Sequence, residues 1–479
     1  MNFKLIKAVS VYTILGFVPL IASFLLLPLY TRHLTTTDYG VVGLAYIAEN
    51  YFILFVVFGF NTAIFRFFND YKAKGKEIDL LMNTFFSSFL IIAILFLVLS
   101  LFGERVFEYV FRGNLSLKKY GYFVLGSSIS LSFNQLLLQY FRIKEDLKAA
   151  IIITIVPFFL SIAGIVTGVV LMNAGATGNV RGRFVGLFLS MIILFIWFAR
   201  QYSIKFKFDK DIIKALFIYS APVVLYNIIG NISDTMDRFF INSTYSLSEL
   251  GIYNLARTLI APVEIILLSI WNAVTPMIYN KLLSSEGFLQ DGKQTYVGRY
   301  FDILLLAEFV LMGLIFIFMS PFLKLITSSS YQGAVLYIPL LLLASVGRAY
   351  YIVYSFNIFF EKKTRLLPII NTVSMILVYA FLKIVAVRFE LLGIAAALVV
   401  LKFSQFLLSY YFEIKYDIKY PMKKSFLPAS VALTIVLFYY YFYYNAAGYL
   451  MLYNLFAGSA LILISLFTYR ESISQPRNI

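Results

Sequence analysis

Long apolar runs without a charged side chain recur from one end of the chain to the other. The first of them, Val11 to Tyr30, contains no Asp, Glu, Lys, Arg or His. A run of about 18 or more apolar residues is long enough to cross the hydrocarbon layer of a membrane as a helix. The runs also lack the period-two alternation of the strands in a membrane barrel. The pattern therefore predicts an all-α polytopic membrane protein.

The composition agrees, since 61% of the residues are hydrophobic and only 13% are charged. Apolar blocks between charged residues or Gly, Asn and Pro breaks predict about fourteen transmembrane helices. They run roughly over 11–31, 41–66, 80–102, 120–141, 149–171, 184–200, 215–239, 252–279, 300–320, 335–359, 368–387, 393–412, 426–444 and 449–468.

Lysine and arginine residues are unevenly distributed between the two sides of the predicted membrane. With the N-terminus in the cytoplasm, 25 of the 40 lie in segments on that side, nine lie in the opposite loops and six lie inside spans. Cytoplasmic loops of membrane proteins carry such an excess. We therefore predict that both termini are cytoplasmic, and we attribute the net charge of +16 to this bias rather than to nucleic acid binding.

The sequence also repeats itself at an offset of 211 residues. The stretch "LTTTDYGVVGLA" aligns with "YSLSELGIYNLA", pairing Asp38 with Glu249 and Gly40 with Gly251. Six spans per copy, an even number, give both copies the same orientation, so the axis between them runs along the membrane normal. We expect two six-helix lobes related by this parallel pseudo-repeat, over 1–205 and 206–415. Two additional transmembrane helices and a short cytoplasmic tail follow over 416–479.

Several kinds of chemistry lack the residues that they need. With no cysteine and a single histidine, the chain is poorly suited to thiol chemistry or to a metal centre. It has no GxxxxGK[ST] loop for ATP phosphates. The longest predicted outer segment, about 103–119, offers only Glu104 and Glu108 as acids, too few for a membrane polymerase or glycosyltransferase. The chain is therefore not expected to be an enzyme or to hold a metal.

The seventh predicted span carries a polar stripe. Spacings of 7, 4, 3 and 4 residues place five polar side chains within a sector of about 60° on a helix. They are Ser220, Asn227, Asn231, Asp234 and Arg238. One face of this helix is therefore expected to line a cavity or to pair with a neighbour. A buried seam of hydrogen bonds between helices is the alternative interpretation.

Charged residues inside other spans are a second signal, because each costs at least about 2.5–3.5 kcal/mol at the helix centre. Arg257 and Glu264 are seven residues apart and share a helical face. Arg348 has no acid within a helical turn, so it requires an anion from elsewhere. For Glu49, Glu308 and Lys402, a tertiary salt bridge or a snorkelling side chain is an equally good explanation.

Four stretches together resemble a known family. They are "LPLYTRHLTTTDYGVVGLA", "FGFNTAIFRFF", "YFRIKEDLKAA" and "SDTMDRFFINSTYSLSELGIYNLA". They are similar to the polysaccharide repeat-unit translocases, the O-antigen flippase type of the multidrug/oligosaccharidyl-lipid/polysaccharide exporter superfamily. The resemblance implies an alternating-access transporter with two six-helix lobes and a polar central cavity. Such a protein moves an undecaprenyl-pyrophosphate-linked oligosaccharide to the outer leaflet of the bacterial inner membrane.

The resemblance and the polar residues together define the expected site. Residues expected to bind the pyrophosphate or the sugars are Arg32, Arg66, Asn227, Asn231, Asp234, Arg238, Arg257 and Arg348. Residues that are candidates for carrying a coupling proton or sodium ion are Glu49, Glu264 and Glu308. No other cofactor is expected. Membrane lipids, a polysaccharide polymerase and chain-length machinery are the expected partners.

Two other functions stay open at this point. A cation-coupled multidrug exporter of the same superfamily requires an acid-rich cavity, whereas six basic residues and five acids lie inside the spans. A polymerase of lipid-linked sugars is less compatible with the sequence because no large outer loop is present.

Overall fold

A computed structural model describes residues 24, 26–202, 207–283, 291–360, 363, 365–415 and 426–470. The described residues are predominantly helical and contain no β-strand, which confirms the all-α prediction. Their helices are α1 (Thr36–Val57), α2 (Phe60–Lys72), α3 (Glu77–Phe111), α4 (Tyr122–Ile143), α5 (Leu147–Val166), α6 (Gly175–Gln201), α7 (Lys210–Thr244), α8 (Leu247–Leu283), α9 (Asp291–Ile326), α10 (Ile338–Phe360), α11 (Leu366–Phe381), α12 (Val387–Lys415), α13 (Phe426–Asn445) and α14 (Leu450–Thr468).

Within the described residues, twelve helices are long and apolar enough to cross a membrane. The predicted first span, 11–31, lies largely outside this part of the chain. The predicted span 120–141 corresponds to α4, which is not one of the twelve. Polar residues lower its hydropathy, and they are buried: Ser128 donates a hydrogen bond to the backbone oxygen of Glu49, and Asn134 donates one to Ser190.

At two predicted spans the helix extends well beyond the predicted boundary. Helix α3 extends to Phe111, so most of the predicted outer segment 103–119 is helical. Helix α6 begins at Gly175, nine residues before the predicted start at 184. Glycines treated as breaks are instead packing residues, because a Cβ on Gly182 would lie 2.1 Å from the carbonyl oxygen of Gly164 on α5.

The chain divides into two compact units, which we call the N-terminal unit (Met1–Asn254) and the C-terminal unit (Leu255–Ile479). The lobe boundaries predicted at 205 and 415 stay predictions, because residues 203–206 and 416–425 lie outside the described part. Between α1 and α2, Phe58 and Gly59 both adopt left-handed backbone conformations, with φ of 49° and 75°. This break divides the second predicted span into two helices.

The aligned repeat segments begin their helices with the same local structure. At the start of α1, Thr35 and Asp38 form a capping box, in which each side chain binds the backbone N–H of the other. Ser246 and Glu249, their equivalents at the offset of 211, form the same box at the start of α8. The motif is therefore repeated in structure as well as in sequence.

Close helix contacts position the charged residues of the C-terminal unit. Helix α10 approaches α12 at Gly347, where an added Cβ would lie 3.0 Å from the Cβ of Lys402. Helix α9 approaches α14 at Gly313, where an added Cβ would lie 2.8 Å from the carbonyl oxygen of Gly458. Helices α9 and α10 carry Glu308 and Arg348. The helix backbones that hold these two side chains are therefore tightly packed.

Candidate functional site

The N-terminal unit contains an ion pair between α1 and α6. The Arg183 guanidinium donates to both carboxylate oxygens of Glu49, from Nε to Oε2 at 3.0 Å and from Nη2 to Oε1 at 2.8 Å. The side chain of Glu49 is 7% exposed and that of Arg183 is 23% exposed. Two parallel bonds of this kind fix the orientation of both groups. Glu49, a predicted coupling residue, is therefore neutralised by an arginine.

A hydrogen-bonded network extends from this pair. The Arg183 guanidinium lies 4.9 Å from the centre of the Tyr46 ring, a cation–π contact. The Tyr46 hydroxyl donates to Asn179 at 3.2 Å and lies 3.1 Å from the Tyr30 hydroxyl. The Asn179 side chain is fully buried, and its Nδ2 has no hydrogen-bond partner among the described residues. Arg183 and Asn179 are thus part of a polar cluster inside the N-terminal unit.

Sequence reasoning missed both Arg183 and Asn179, because the segment before 184 was interpreted as an outer loop. A helical interpretation of this segment would have found them. Asn179 and Arg183 are four residues apart, and so are Gly178 and Gly182. On one helix, each of these pairs defines a face. Gly182 packs against Gly164 on α5 and Gly178 against Gly168 just after it, while the polar pair points towards α1.

Helix α7 carries the predicted polar stripe within the same unit. Asn227, Asn231 and Asp234 are half-buried, whereas Leu225 and Ile232 on other faces are exposed. The Asn231 amide donates to the backbone oxygen of Asn227 at 3.0 Å. The stripe is therefore partly covered by protein, whereas the faces that carry Leu225 and Ile232 are more exposed. Helix α7 contacts α1 at Thr235, one turn after Asn231, where the hydroxyls of Thr235 and Tyr51 lie 2.8 Å apart.

Arg238 lies at the end of this stripe beside a buried acid. Its Nη2 donates to the backbone oxygen of Asp234 at 3.2 Å, and its Nε is 3.7 Å from Oδ1 of Asp237. Asp237 is buried and accepts a hydrogen bond from the Tyr253 hydroxyl at 2.8 Å. Arg238 and Asp234 are therefore adjacent on the stripe.

The two remaining predicted arginines of the N-terminal unit are at its surface. Arg32 is exposed at the end of the helical segment that precedes α1. Arg66 is exposed on α2 and pairs with Asp70 one turn later, at 3.4 Å. Neither contributes to the buried cluster around Arg183.

The C-terminal unit contains a second ion pair. Nη1 of Arg348 on α10 donates to Oε2 of Glu264 on α8 at 2.7 Å, with the side chains 22% and 24% exposed. The sequence predicted that Arg348 would require an anion from elsewhere, and Glu264 supplies it. Arg257 lies two turns before Glu264 on α8 and is half-buried.

The third predicted glutamate contacts α10 one turn before Arg348. Glu308 on α9 is fully buried and is hydrogen-bonded to the hydroxyl of Ser345, which precedes Arg348 by three residues on α10. Lys402 on α12 is also buried. No group of three or more His, Cys, Asp or Glu side chains that could hold a metal ion occurs in the described ranges.

A known protein family matches more than half of the chain. Residues 5–280 match the family described as "Polysaccharide biosynthesis protein". The chain is also 24% identical over 389 residues to the Lsg locus putative protein 1 of Haemophilus influenzae. That alignment covers 79% of this chain and 90% of the other protein.

The fold resembles several solved structures. The lipid II flippase MurJ in an inward closed conformation matches with a TM-score of 0.71 and 16% identity, covering 98% of this chain and all of that one. The MATE multidrug transporter DinF-BH matches with a TM-score of 0.59 and 15% identity, covering 87% of this chain and 97% of that one. A MOP superfamily transporter from Pyrococcus furiosus matches with a TM-score of 0.59 and 13% identity, covering 89% of this chain and 96% of that one. At these identities the similarity concerns the fold.

Proposed function

Because the chain belongs to the polysaccharide biosynthesis protein family, we propose that it is a flippase for undecaprenyl-pyrophosphate-linked oligosaccharide repeat units. It moves them by alternating access from the cytoplasmic to the outer leaflet of a bacterial inner membrane, with both termini in the cytoplasm. The multi-pass helical architecture and the fold shared with flippases and transporters support a transporter rather than an enzyme. The transferred repeat units supply the synthesis of O-antigen, capsule or exopolysaccharide, in which a polymerase and chain-length machinery are the partners.

One observation favours an anionic substrate over a cationic drug. A cation exporter needs carboxylates that are available to its substrate. All three predicted glutamates are engaged: Arg183 binds Glu49, Arg348 binds Glu264, and Glu308 is buried against Ser345. A cationic drug would have to replace an arginine at Glu49 or Glu264, and Glu308 is buried away from it, so these residues are less suited to the multidrug-exporter alternative.

Arginine suits the headgroup of the proposed substrate. A pyrophosphate carries about two negative charges, and a fixed cation lowers the cost of moving it through hydrocarbon. The planar guanidinium gives bidentate bonds to phosphate oxygens and stays protonated at any relevant pH. In this proposal Arg257 and Arg348 bind the pyrophosphate, Arg32 and Arg238 assist its exit, and Arg66 receives it on the cytoplasmic side.

The Arg348–Glu264 pair gives this proposal a specific step. An arginine that is held by a glutamate is neutralised while the site is empty, which limits the cost of a charge inside the membrane. The arriving pyrophosphate then replaces the carboxylate as the partner of Arg348. The half-buried polar face of α7, with Asn227 and Asn231, is suited to hydrogen bonds with sugar hydroxyls.

Binding to the purified protein tests the substrate class. A radiolabelled polyprenyl-pyrophosphate sugar and a panel of cationic dyes are compared on the same preparation. We expect saturable binding of the pyrophosphate lipid, no competition by the dyes, and weaker binding when Arg348 is replaced by alanine. Saturable dye binding without binding of the pyrophosphate lipid would instead establish the multidrug-exporter function.

A further inference from the structure

Glu308 is a buried acid that the proposed substrate contacts do not use. Its relative exposure is 0%, and its immediate neighbour Phe309 and Met312 one turn later are fully buried as well. Its Oε1 contacts the Ser345 hydroxyl. Its Oε2 is buried and has no hydrogen-bond partner among the described residues. A carboxylate with one hydrogen bond in such surroundings is strongly destabilised relative to water.

The bonding of Ser345 indicates which form of the acid fits. The Ser345 hydroxyl contacts Glu308 and also lies 2.7 Å from the backbone oxygen of Leu342. A serine hydroxyl has a single hydrogen, so it can donate to only one of these acceptors. If the acid is protonated, Glu308 donates to Ser345 and Ser345 donates to Leu342. This arrangement satisfies both contacts, whereas an ionised Glu308 must compete with Leu342 for the same hydrogen.

Among the described residues, charged groups on two helices act on Glu308. Glu264 on α8 and Arg348 on α10 interact electrostatically with it. Helix α14, which packs against α9, contributes none, since no Asp, Glu, Lys, Arg or His occurs from Phe426 to Thr468. Arg348 is itself hydrogen-bonded to Glu264, so its charge is shared between two carboxyl groups.

We propose that Glu308 is a proton-binding site that is coupled to the Arg348–Glu264 pair. When the acid loses its proton to water, the new carboxylate competes with Glu264 for Arg348. In this proposal the proton leaves by way of the ion pair, whose side chains are 22% and 24% exposed and whose Arg348 lies one turn from Ser345 on α10. This inference rests on the proposed function, in which Arg348 binds the pyrophosphate, so proton loss and substrate binding are alternatives at the same arginine.

Infrared spectroscopy tests the protonation state without any transport assay. Protein labelled with ¹³C-glutamate is compared with its Glu308→Gln variant in a detergent without ester groups at neutral pH. We expect a protonated carboxyl band in the wild type that is missing from Glu308→Gln and still present in Glu104→Gln. Glu104 is a suitable control because it is exposed and paired with Lys118. Identical carboxyl bands in the wild type and in Glu308→Gln would overturn the proposal.

Transport in proteoliposomes tests the coupling. We expect an imposed proton gradient to change the flipping rate of the wild type and of Glu104→Gln, but to have no effect on Glu308→Gln. A gradient response that persists in Glu308→Gln would contradict the coupling, and a response to a sodium gradient that Glu308→Gln abolishes would contradict the choice of ion. If the wild type flips no lipid at all, the proposed function fails, while the infrared result still decides whether Glu308 holds a proton.

Discussion

Gly40 near the start of α1 packs against α8, and Gly251 near the start of α8 packs against α1. A Cβ on Gly40 would stand 2.1 Å from the carbonyl oxygen of Leu247, and one on Gly251 would stand 1.9 Å from that of Thr36. The repeat offset maps Thr36 onto Leu247 and Gly40 onto Gly251, so the contact is reciprocal. The two repeated helix starts therefore contact each other through equivalent positions.

The first prediction concerns this contact. Alanine at Gly40 or Gly251 should destabilise the protein by about 1–3 kcal/mol, because the added methyl group meets backbone that cannot move independently. Gly230 on α7 is the matched control, since a Cβ there meets nothing within 4 Å. Thermal unfolding in detergent measures the effect. Equal stability of the Gly40→Ala and Gly230→Ala variants would show that the helix starts are not tightly packed in the protein.

The second prediction concerns Glu49 and Arg183. Replacing Arg183 by methionine leaves a buried carboxylate without its cation and should cost about 3–5 kcal/mol, whereas Glu49→Leu combined with Arg183→Met should recover most of this loss. The free energy of unfolding of the single and double variants measures both effects. The exposed pair Glu104–Lys118 is the control, and its removal should change stability little. If Arg183→Met is as stable as the wild type, the pair is not formed.

The sequence could predict the helices and the stripe but not the ion pairs. Hydrocarbon dictates apolar runs, and helix geometry dictates that Asn227, Asn231 and Asp234 share a face, so both features can be recognised locally. Glu49 and Arg183 are 134 residues apart, and Glu264 and Arg348 are 84 apart. Such pairings depend on which helices pack together, which no local pattern specifies.

The third prediction is that water reaches the polar face of α7. Cysteines at Asn227, Asn231 and Asp234 should react with small hydrophilic thiol reagents, because these side chains are half-buried on a polar face. Cysteines at Leu225 and Ile232, whose side chains are exposed, should react slowly, because these apolar faces are expected to contact lipid. The absence of cysteine from the natural sequence makes the labelling specific. The opposite order of reactivity would indicate a dry packing seam.

The fourth prediction concerns topology. A cysteine at Lys74, in the basic turn after α2, should be protected from an impermeant maleimide added to intact cells. A cysteine at Lys118 should be labelled, because this exposed residue lies on the predicted outer side. Permeabilised cells provide the control for reactivity at both positions. Labelling at Lys74 from outside would reverse the proposed orientation.

The central claim is that arginines inside the membrane carry a lipid-linked pyrophosphate across it. Its most direct test is the transfer of a radiolabelled undecaprenyl-pyrophosphate oligosaccharide across proteoliposome membranes. The wild type should transfer it, and alanine at both Arg257 and Arg348 should abolish transfer. The alanine variant also carries Glu264→Gln, because removal of Arg348 would otherwise leave the Glu264 carboxylate without its partner. Lysine at the two positions should restore transfer only in part, and alanine at Lys402 should have a smaller effect. Transfer at the wild-type rate by the alanine variant would contradict the account.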